Sequence, residues 1–405
     1  MRLFALLFCF LFCTICNAQK AAVPPMGYMT WNLYADKITE GDIRSIADAM
    51  TANGLTAPGF NYIFIDDGWQ GGRDNKNNII PDAKKFPSGM KALCDYVHGK
   101  GMKIGIYSDA AQLTCGGYTA SYGFEEQDAK TFAGWGFDYL KYDYCNAPDD
   151  WQTAISRYSK MAEALQHSGR NITFGICEWG NRSPWLWAKK SGGQLWRMAA
   201  DIRDKWQSTE PPKTNNDLHH LGAGILDVVN INAGLYAYAG PGGWNDPDML
   251  VVGLYGRKGP SGDLGGVGCT DVEYQSQMSL WCMLSAPLMI SCDVTNMNDT
   301  TKKILANKDI IDIDQDSLGA QAQRKINKDG WQVFVKPLQN GDVAIAVLNT
   351  TPATAAMQLQ LADVGLGANY TAKDVWTKQL TKWNKNVAFS VASHETKVFR
   401  LSVIK

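Results

Sequence analysis

Residues 62–67 read YIFIDD, a short apolar run that ends in acidic residues. The same pattern returns at 104–109 (IGIYSD) and at 139–143 (YLKYD). Each run has the length and composition of a buried strand. Further short apolar runs occur at 27–31, 172–176, 228–231 and 283–290. We therefore predict that each of these runs is a strand of one sheet.

Longer amphipathic stretches separate these runs. Residues 42–50 (DIRSIADAM) place apolar side chains at helical spacing, and residues 90–98 and 154–165 do the same. Strands that alternate with helices over most of a chain indicate a parallel sheet with crossover helices. The number of repeats favours a closed (β/α)8 TIM barrel, spanning residues 19–320, over an open doubly wound sheet.

The pattern of apolar and polar residues changes after Gln321. Short strand candidates separated by turn residues occur at 331–336, 341–349, 356–361, 373–376 and 397–402. No convincing helical pattern interrupts them. We therefore predict that residues 321–405 form a small C-terminal antiparallel β-sandwich domain.

The N-terminus has the pattern of an export signal. Arg2 precedes an apolar run from Leu3 to Ile15, and small residues follow up to Ala18. This predicts a signal peptide over residues 1–18, cleaved after Ala18, and a secreted or periplasmic protein. Lipid attachment at Cys16 is the alternative. No other apolar run is long enough to predict a membrane span.

Net charge and cysteine usage argue against nucleic-acid binding, binding to an anionic membrane and metal binding. The net charge of −1 gives no field for nucleic acid or an anionic membrane. No CxxC pair exists among the cysteines beyond the predicted signal and the histidines show no metal-ligand spacing, so no metal or other cofactor is predicted. The sequence leaves the oligomeric state open. Removal of the signal leaves seven cysteines, an odd number, so at least one thiol stays unpaired within the chain.

Several predicted strands end in polar residues. The active site of a barrel lies at the carboxyl ends of its strands, although a single Asp there is often only a helix cap. Glycoside hydrolysis requires two carboxyl groups on either side of one bond. The candidates are Asp66, Asp67, Asp109, Asp143, Glu178, Asp201, Asp246 and Asp248. Spacing alone does not choose among them.

Ordered motifs make that choice. They are 25–31 (PMGYMTW), 65–69 (IDDGW), 105–109 (GIYSD), 140–145 (LKYDYC), 177–180 (CEWG), 196–202 (WRMAADI), 239–250 (AGPGGWNDPDML), 285–288 (SAPL) and 314–319 (DQDSLG). In this order the chain resembles family 27 of the glycoside hydrolases, which contains α-galactosidases and α-N-acetylgalactosaminidases. The resemblance runs from Pro24 to Gly319 and implies a TIM barrel followed by an antiparallel β domain.

The resemblance also implies roles. Asp143 corresponds to the family's nucleophile and Asp201 to its general acid/base, so the expected activity is retaining hydrolysis of terminal α-galactosides. The substrate-binding positions are Trp31, Asp66, Asp67, Tyr107, Cys115, Lys141, Cys177, Glu178, Trp179, Arg197 and Asp248. For Trp31 the alternative is core packing.

Their spacing in the sequence also predicts where two cationic side chains lie relative to the catalytic aspartates. Lys141 lies two residues before Asp143, so both side chains share one face of a strand. Arg197 lies four residues before Asp201, and the two share a face if the strand runs through. A cation beside Asp143 favours its ionised form. The alternative for both residues is a structural salt bridge.

The cysteines near the site both match and depart from the family. The resemblance implies a disulfide between Cys115 and Cys145. Many relatives have a second cystine that joins the position of Gly68 to the first strand–helix loop, and here both partners are absent. Cys177 lacks the partner found in animal relatives, which predicts a free thiol in the pocket.

Bulky side chains at Glu178 and Trp179 are expected to crowd an acetamide group, which favours galactose over N-acetylgalactosamine. The intact Asp66–Asp67 pair argues for retention of the hydroxymethyl arm, while a β-L-arabinopyranosidase activity stays open. The rival of a different class is a catalytically silent sugar-binding protein. Both Asp143 and Asp201 are present, which argues against it.

Overall fold

The computed structural model describes residues 22–209, 222–257, 259–262, 266–367 and 369–404. The proposed signal peptide, residues 1–18, lies outside these ranges. Eight parallel strands form the N-terminal body. They are β1 Met26–Met29, β2 Tyr62–Phe64, β5 Lys103–Asp109, β6 Tyr139–Asp143, β7 Thr173–Ile176, β8 Leu195–Arg197, β9 Trp244–Asp246 and β10 Leu288–Ile290.

These strands pair in the order β10-β1-β2-β5-β6-β7-β8-β9. The two ends of that order meet where Leu250, just after β9, forms a parallel bridge with Ile290 of β10. The predicted barrel is therefore confirmed. Because all eight strands are parallel, their carboxyl ends gather at one rim.

Helices return the chain from strand to strand. They are α1 Trp31–Tyr34, α2 Glu40–Ala52, α3 Gly89–Gly99, α4 Glu125–Trp135, α5 Trp151–Gln166, α6 Ile225–Asn232, α7 Asp271–Met283, α8 Asp299–Leu305 and α9 Lys308–Asp314. The predicted helices at 42–50, 90–98 and 154–165 are confirmed within α2, α3 and α5. Side chains of Thr39 and Asp150 cap α2 and α5, which explains where these helices begin. A β-hairpin, β3 Gln70–Arg73 and β4 Ile79–Pro81, follows β2.

Two strand predictions in the barrel are wrong. Residues 228–231 lie in α6, whose first five residues are all buried. A short apolar run of a largely buried helix looks like a buried strand, so periodicity does not separate the two. The run at 283–290 is a strand only over Leu288–Ile290, because Met283 ends α7.

The C-terminal body is a β-sandwich, as predicted. Its strands are β11 Gln323–Lys328, β12 Trp331–Pro337, β13 Val343–Asn349, β14 Ala355–Gln360, β15 Tyr370–Asp374, β16 Leu380–Trp383, β17 Asn386–Val391 and β18 Thr396–Val403. Six of them form one sheet, β11-β12-β13-β18-β15-β16, and β14 pairs with β17. The candidate at 373–376 is shifted, and β11, β16 and β17 were missed because exposed polar residues interrupt their apolar pattern.

The large sheet is buried on both faces. Along β12, Val333 and Val335 belong to the sandwich core, whereas Phe334 belongs to the barrel core. Alternate residues of a strand point to opposite faces, so this strand joins the two cores. Lys336 reaches across from the same strand and donates to Cys282 O at 3.0 Å and to Ser285 Oγ at 2.7 Å. The two bodies therefore share a packed interface.

Among the described residues, no helix has the length and apolar character needed to cross a bilayer.

Candidate active site

Asp143 ends β6 and is 4% exposed. Its carboxylate accepts hydrogen bonds from Tyr107 OH at 3.0 Å and from its neighbour Tyr144 N at 3.1 Å. Tyr107 lies on β5, which pairs with β6. Two neighbouring strands thus orient the carboxylate, and both residues are where the sequence analysis placed them.

Lys141 lies on the same face of β6 and contacts the acidic pair that follows β2. Its Nζ donates to Asp66 Oδ2 at 2.9 Å, and the Asp66 carboxylate also accepts from Asp67 N at 2.8 Å. Asp67 accepts from Gly68 N and from Gly116 N, each at 2.8 Å. The nearby carboxylates of Asp66 and Asp143 raise the pKa of Lys141 far above its usual value, although burial opposes this. Lys141 therefore remains a cation.

Arg197 holds two carboxylates at once. Its Nη2 lies 3.1 Å from Asp201 Oδ1 and 3.0 Å from Asp248 Oδ2. Asp248 also accepts from Ile202 N at 2.9 Å, which ties the segment after Asp201 to the loop after β9. The condition for a shared strand face, a strand that runs from Arg197 through Asp201, is not met, because β8 ends at Arg197. The guanidinium, not a shared strand face, brings the pair together.

A cavity inside the barrel lies against Lys141, Arg197 and Asp248. It is lined by Met29, Tyr139, Lys141, Gly175, Ile176, Cys177, Arg197, Asp246, Asp248, Met249 and Met289. Cys177 Sγ lies 3.8 Å from Arg197 Nη1, and burial raises the pKa of this free thiol, which stays protonated. Asp246 and the three methionines were not among the predicted site residues. Asp246 was among the carboxylate candidates but was not assigned to the site. The methionines could not be predicted, because apolar residues carry no signal that separates a cavity wall from the core.

The two central carboxyl groups differ in exposure and in pKa. Burial raises the pKa of Asp143 to about 7, against the opposing charge of Lys141, and the charge of Asp201 adds to the rise. The Asp201 side chain is 39% exposed, although burial still favours its neutral form. The charges of Arg197 and Lys141 hold the pKa of Asp201 below its usual value. The two groups therefore form a coupled pair that shares one proton near neutral pH.

Glu178 and Trp179 occupy different surroundings. Both carboxylate oxygens of Glu178 are buried, and Oε2 lies 2.6 Å from Arg182 Nε in an ion pair that is not aligned as a hydrogen bond. Glu178 presents no surface to a sugar, so the expectation that it crowds an acetamide does not fit the structure. Trp179 is half-buried and adopts a φ of 49°, a conformation that costs roughly 1–2 kcal/mol for a bulky residue.

Trp179 lines an open groove together with Tyr144 and the linked pair Cys115 and Cys145. The disulfide between these two cysteines is present in the structure, as the resemblance implied, with its Cα atoms 5.1 Å apart. Cys145 follows Asp143 by two residues, so the disulfide fixes the loop after β6. Trp31 begins α1 just after β1 and is half-buried, packed against the barrel core.

Asp109 supports this loop from β5. It is fully buried and accepts from Cys145 N and Ala111 N, each at 2.9 Å. Among the described residues, one group could gather around a metal ion: Asp109, Asp143, Cys115 and Cys145. Its two sulfurs are consumed in the disulfide and are not thiolate ligands. This donor set therefore does not fit a metal centre.

Lys85 lies where the resemblance implied a second cystine in many relatives. Its Nζ donates to Asp36 O and to Gly68 O, both at 2.6 Å. The two loops are in backbone contact there, since a Cβ at Gly68 would lie 2.7 Å from Asp36 Cα. Tyr118 OH adds a hydrogen bond to Asp36 at 2.8 Å. A single cation thus joins the first loop to the segment that carries Asp66 and Asp67.

We expect Lys85→Met to loosen this junction. Hydrogen bonds from a charged donor contribute roughly 1.5–3 kcal/mol each, so the unfolding free energy should fall by about 2 kcal/mol. KM should rise severalfold with a smaller change in kcat, because Asp66 and Asp67 lose their support. Thermal unfolding and steady-state kinetics measure both effects. Lys84→Met, an exposed neighbour, is the matched control, and equal behaviour of the two variants would contradict the assignment.

The fold and the site together define a barrel glycoside hydrolase, because paired carboxylates, a lysine and an arginine converge at the carboxyl rim. Comparison with known families agrees. Residues 23–316 match the family described as alpha galactosidase A, and residues 328–401 match the alpha galactosidase C-terminal beta sandwich domain. The chain belongs to the α-galactosidase family, family 27 of the glycoside hydrolases.

Individual relatives give the same picture. An alpha-galactosidase of Oryza sativa subsp. japonica is 40% identical over 94% of this chain and 84% of its own length. Alpha-galactosidase A of Cellvibrio japonicus is 43% identical over 82% of this chain and 77% of its own length. The crystal structure of a putative alpha-galactosidase/melibiase from Bacteroides fragilis superposes with a TM-score of 0.89 at 46% identity, covering 95% of this chain and 80% of that one. The protein is a glycoside hydrolase that acts on terminal α-galactosyl residues.

Proposed function

We propose that Asp143 is the nucleophile and Asp201 the general acid/base of a double displacement on terminal α-galactosides. The observation that carries this assignment is the contrast between a buried, hydrogen-bonded Asp143 and an Asp201 that reaches solvent and pairs with Arg197. A nucleophile benefits from a fixed position, whereas an acid/base must exchange protons with water.

In the first step, Asp143 attacks the anomeric carbon while Asp201 protonates the departing glycosidic oxygen. The bond to the aglycone breaks, and a β-galactosyl ester forms on Asp143. In the second step, Asp201 takes a proton from water, the water oxygen attacks the same carbon, and the ester bond breaks. Galactose leaves with the α configuration retained. Lys141 and Arg197 compensate the negative charge of the carboxylates throughout.

The first step requires the shared proton on Asp201, whereas the empty site favours it on Asp143. Asp201 must therefore leave Arg197 and turn to the leaving oxygen. Arg197 keeps a carboxylate partner meanwhile, because Asp248 remains 3.0 Å away. Substrate binding thus replaces the ion pair of Asp201 by a hydrogen bond to the aglycone oxygen. The buried guanidinium of Arg197 still has a carboxylate partner.

The pH profile tests the shared proton. The productive form carries one proton on the pair, and that proton is lost above about pH 7, the pKa of Asp143. For melibiose, whose leaving group needs an acid, kcat/KM should fall about tenfold per pH unit above that value. A dinitrophenyl α-galactoside needs no acid and should show a much weaker fall. Melibiose activity that stays flat well into the alkaline range would contradict the shared proton.

Because Glu178 is buried, we propose that Trp179 is the residue that excludes an acetamide group. The enzyme should then prefer galactose over N-acetylgalactosamine. Lys141, Asp66 and Asp67 supply a cation and two acceptors for sugar hydroxyls, and such charge-assisted bonds discriminate epimers.

An assay of wild-type enzyme with nitrophenyl α-galactoside, α-N-acetylgalactosaminide and β-L-arabinopyranoside tests this preference. We expect the galactoside to have the highest kcat/KM. Trp179→Ala should raise relative activity on the acetamide substrate, and Trp151→Ala, an exposed tryptophan at the start of α5, should leave the ratio unchanged. A wild-type preference for either alternative substrate would overturn the proposal. No turnover of any of the three would favour a silent sugar-binding protein.

We further propose that residues 1–18 direct export and that the mature chain begins after Ala18. The apolar run and the small residues at the cleavage position support this proposal. N-terminal sequencing of the secreted or periplasmic protein provides the test. A mature N-terminus at Cys16 would indicate lipid attachment instead.

A further inference from the structure

The segment that carries Asp201 continues away from β8 as residues 201–208 and lies beneath the C-terminal β-sandwich. The barrel holds the start of this segment through Asp248 and through Ala223 N, which donates to Asp201 O at 2.9 Å. Asp204 anchors its middle, because the carboxylate accepts from Tyr274 OH and Gly256 N, each at 2.8 Å. Tyr274 lies on α7, between the barrel and the sandwich.

Trp206, five residues beyond Asp201, is where the sandwich makes contact. Its indole is 8% exposed and stacks on the His394 ring, with centroids 4.7 Å apart and planes inclined by 13°. The indole Nε1 is buried and has no hydrogen-bond partner among the described residues. Stacking is therefore the main directional contact that fixes this indole.

His394 is itself held rigidly. It lies in the turn between β17 and β18 with a φ of 58°. Its Nδ1 lies 2.7 Å from Glu273 Oε1, and its carbonyl accepts from Ser276 Oγ at 2.6 Å. The buried Asn349 side chain fixes the same turn by donating to Ala392 O at 3.0 Å. Both Glu273 and Ser276 belong to α7, which also carries Tyr274.

We propose that His394 is a positioning residue for catalysis: the C-terminal sandwich sets the placement of Asp201 by stacking His394 on Trp206. This inference rests on the proposed role of Asp201. One helix, α7, holds both His394 and Asp204, so the sandwich and the catalytic segment share one rigid support. The sandwich thus contributes to the reaction without contacting substrate.

Leaving-group dependence separates positioning from general destabilisation. kcat/KM reports the reaction up to formation of the galactosyl ester, a step that needs Asp201 only when the leaving group is poor. Displacement of a catalytic group by about 1 Å can cost up to about 100-fold. For His394→Ala we expect kcat/KM to fall about tenfold on melibiose and less than about twofold on dinitrophenyl α-galactoside.

Three further variants complete the experiment. His394→Phe retains an aromatic ring and should recover most of the melibiose activity. Ser393→Ala alters the same turn without touching Trp206 and should behave as wild type. Asp201→Asn, measured in parallel, should show the same leaving-group dependence in stronger form. Thermal unfolding confirms that each variant is folded under assay conditions.

The outcomes are distinct. Equal losses on both substrates, or no loss on melibiose, would overturn the inference while leaving the role of Asp201 intact. Absence of leaving-group dependence in Asp201→Asn would instead overturn the proposed function. Failure of His394→Phe to recover activity would show that the ring stack is not the contact that matters.

Discussion

Asp143→Asn is expected to fold normally and to lose turnover of every α-galactoside by about 10⁴-fold or more. The amide cannot form the galactosyl ester, yet its oxygen still accepts from Tyr107 and Tyr144. Because burial raises the pKa of Asp143 to about 7, the ionised carboxylate costs stability at neutral pH in the folded state. Removal of that charge should leave the melting temperature at neutral pH unchanged or higher.

The sign of this stability effect follows from linkage. A carboxyl group whose pKa is raised on folding binds its proton more tightly in the folded state, so stability falls as pH rises from the unfolded value toward the folded one. The wild-type protein should show that fall, and Asp143→Asn should show less of it. Thermal unfolding across the acid to neutral range measures the difference.

Rescue by azide identifies the attacked face. Asp143→Ala leaves room for a small anion beside the anomeric carbon, and azide should attack there to give β-galactosyl azide by inversion. Product analysis by NMR determines the configuration. Asp149→Asn, an exposed carboxylate at the rim of the groove, is the control and should keep near-normal turnover. Near-normal turnover by Asp143→Asn would rule out this nucleophile.

Asp201→Asn is the second variant with a large expected effect. It should lower kcat/KM on melibiose by about 10³-fold, since general acid catalysis contributes about 10²–10⁴-fold. With dinitrophenyl α-galactoside, kcat/KM should change little, but kcat should fall because hydrolysis of the ester lacks its base. Azide should restore that kcat and give α-galactosyl azide, because it attacks the β-linked ester from the opposite face.

Asp248→Asn provides the contrast for this variant. Asp248 shares Arg197 with Asp201 but makes no proposed proton transfer. Its loss should lower kcat/KM on both substrates by similar factors, because it alters the support of Arg197 and of Ile202. Formation of β-galactosyl azide by Asp201→Asn, or equal losses on both substrates, would contradict the acid/base assignment.

Lys85 joins two loops that, by the resemblance, a disulfide would link in many relatives. A cystine would restrict the unfolded chain as well as the folded loops. Lys85 constrains only the folded state, through hydrogen bonds to Asp36 and Gly68. The junction should therefore be independent of redox conditions, unlike the disulfide between Cys115 and Cys145.

The sequence alone determined the barrel, the β-sandwich and the order of the catalytic motifs. Period-two and helical spacing of apolar residues reflect which side chains are buried, and this spacing can be read from the local sequence. The placement of Lys141 and Asp143 on one face was predictable for the same reason, because they lie two positions apart in a strand. The strand prediction at 228–231 failed because a run of four residues is too short for its periodicity to distinguish helix from strand.

Only the tertiary structure decided which groups touch across the rim. Arg197 reaches Asp201 although the strand ends between them, Glu178 turns inward to Arg182, and Lys85 joins two loops far apart in sequence. His394 meets Trp206 across a domain boundary. Such contacts depend on how closed layers pack, and packing between distant segments leaves no periodic mark in the sequence.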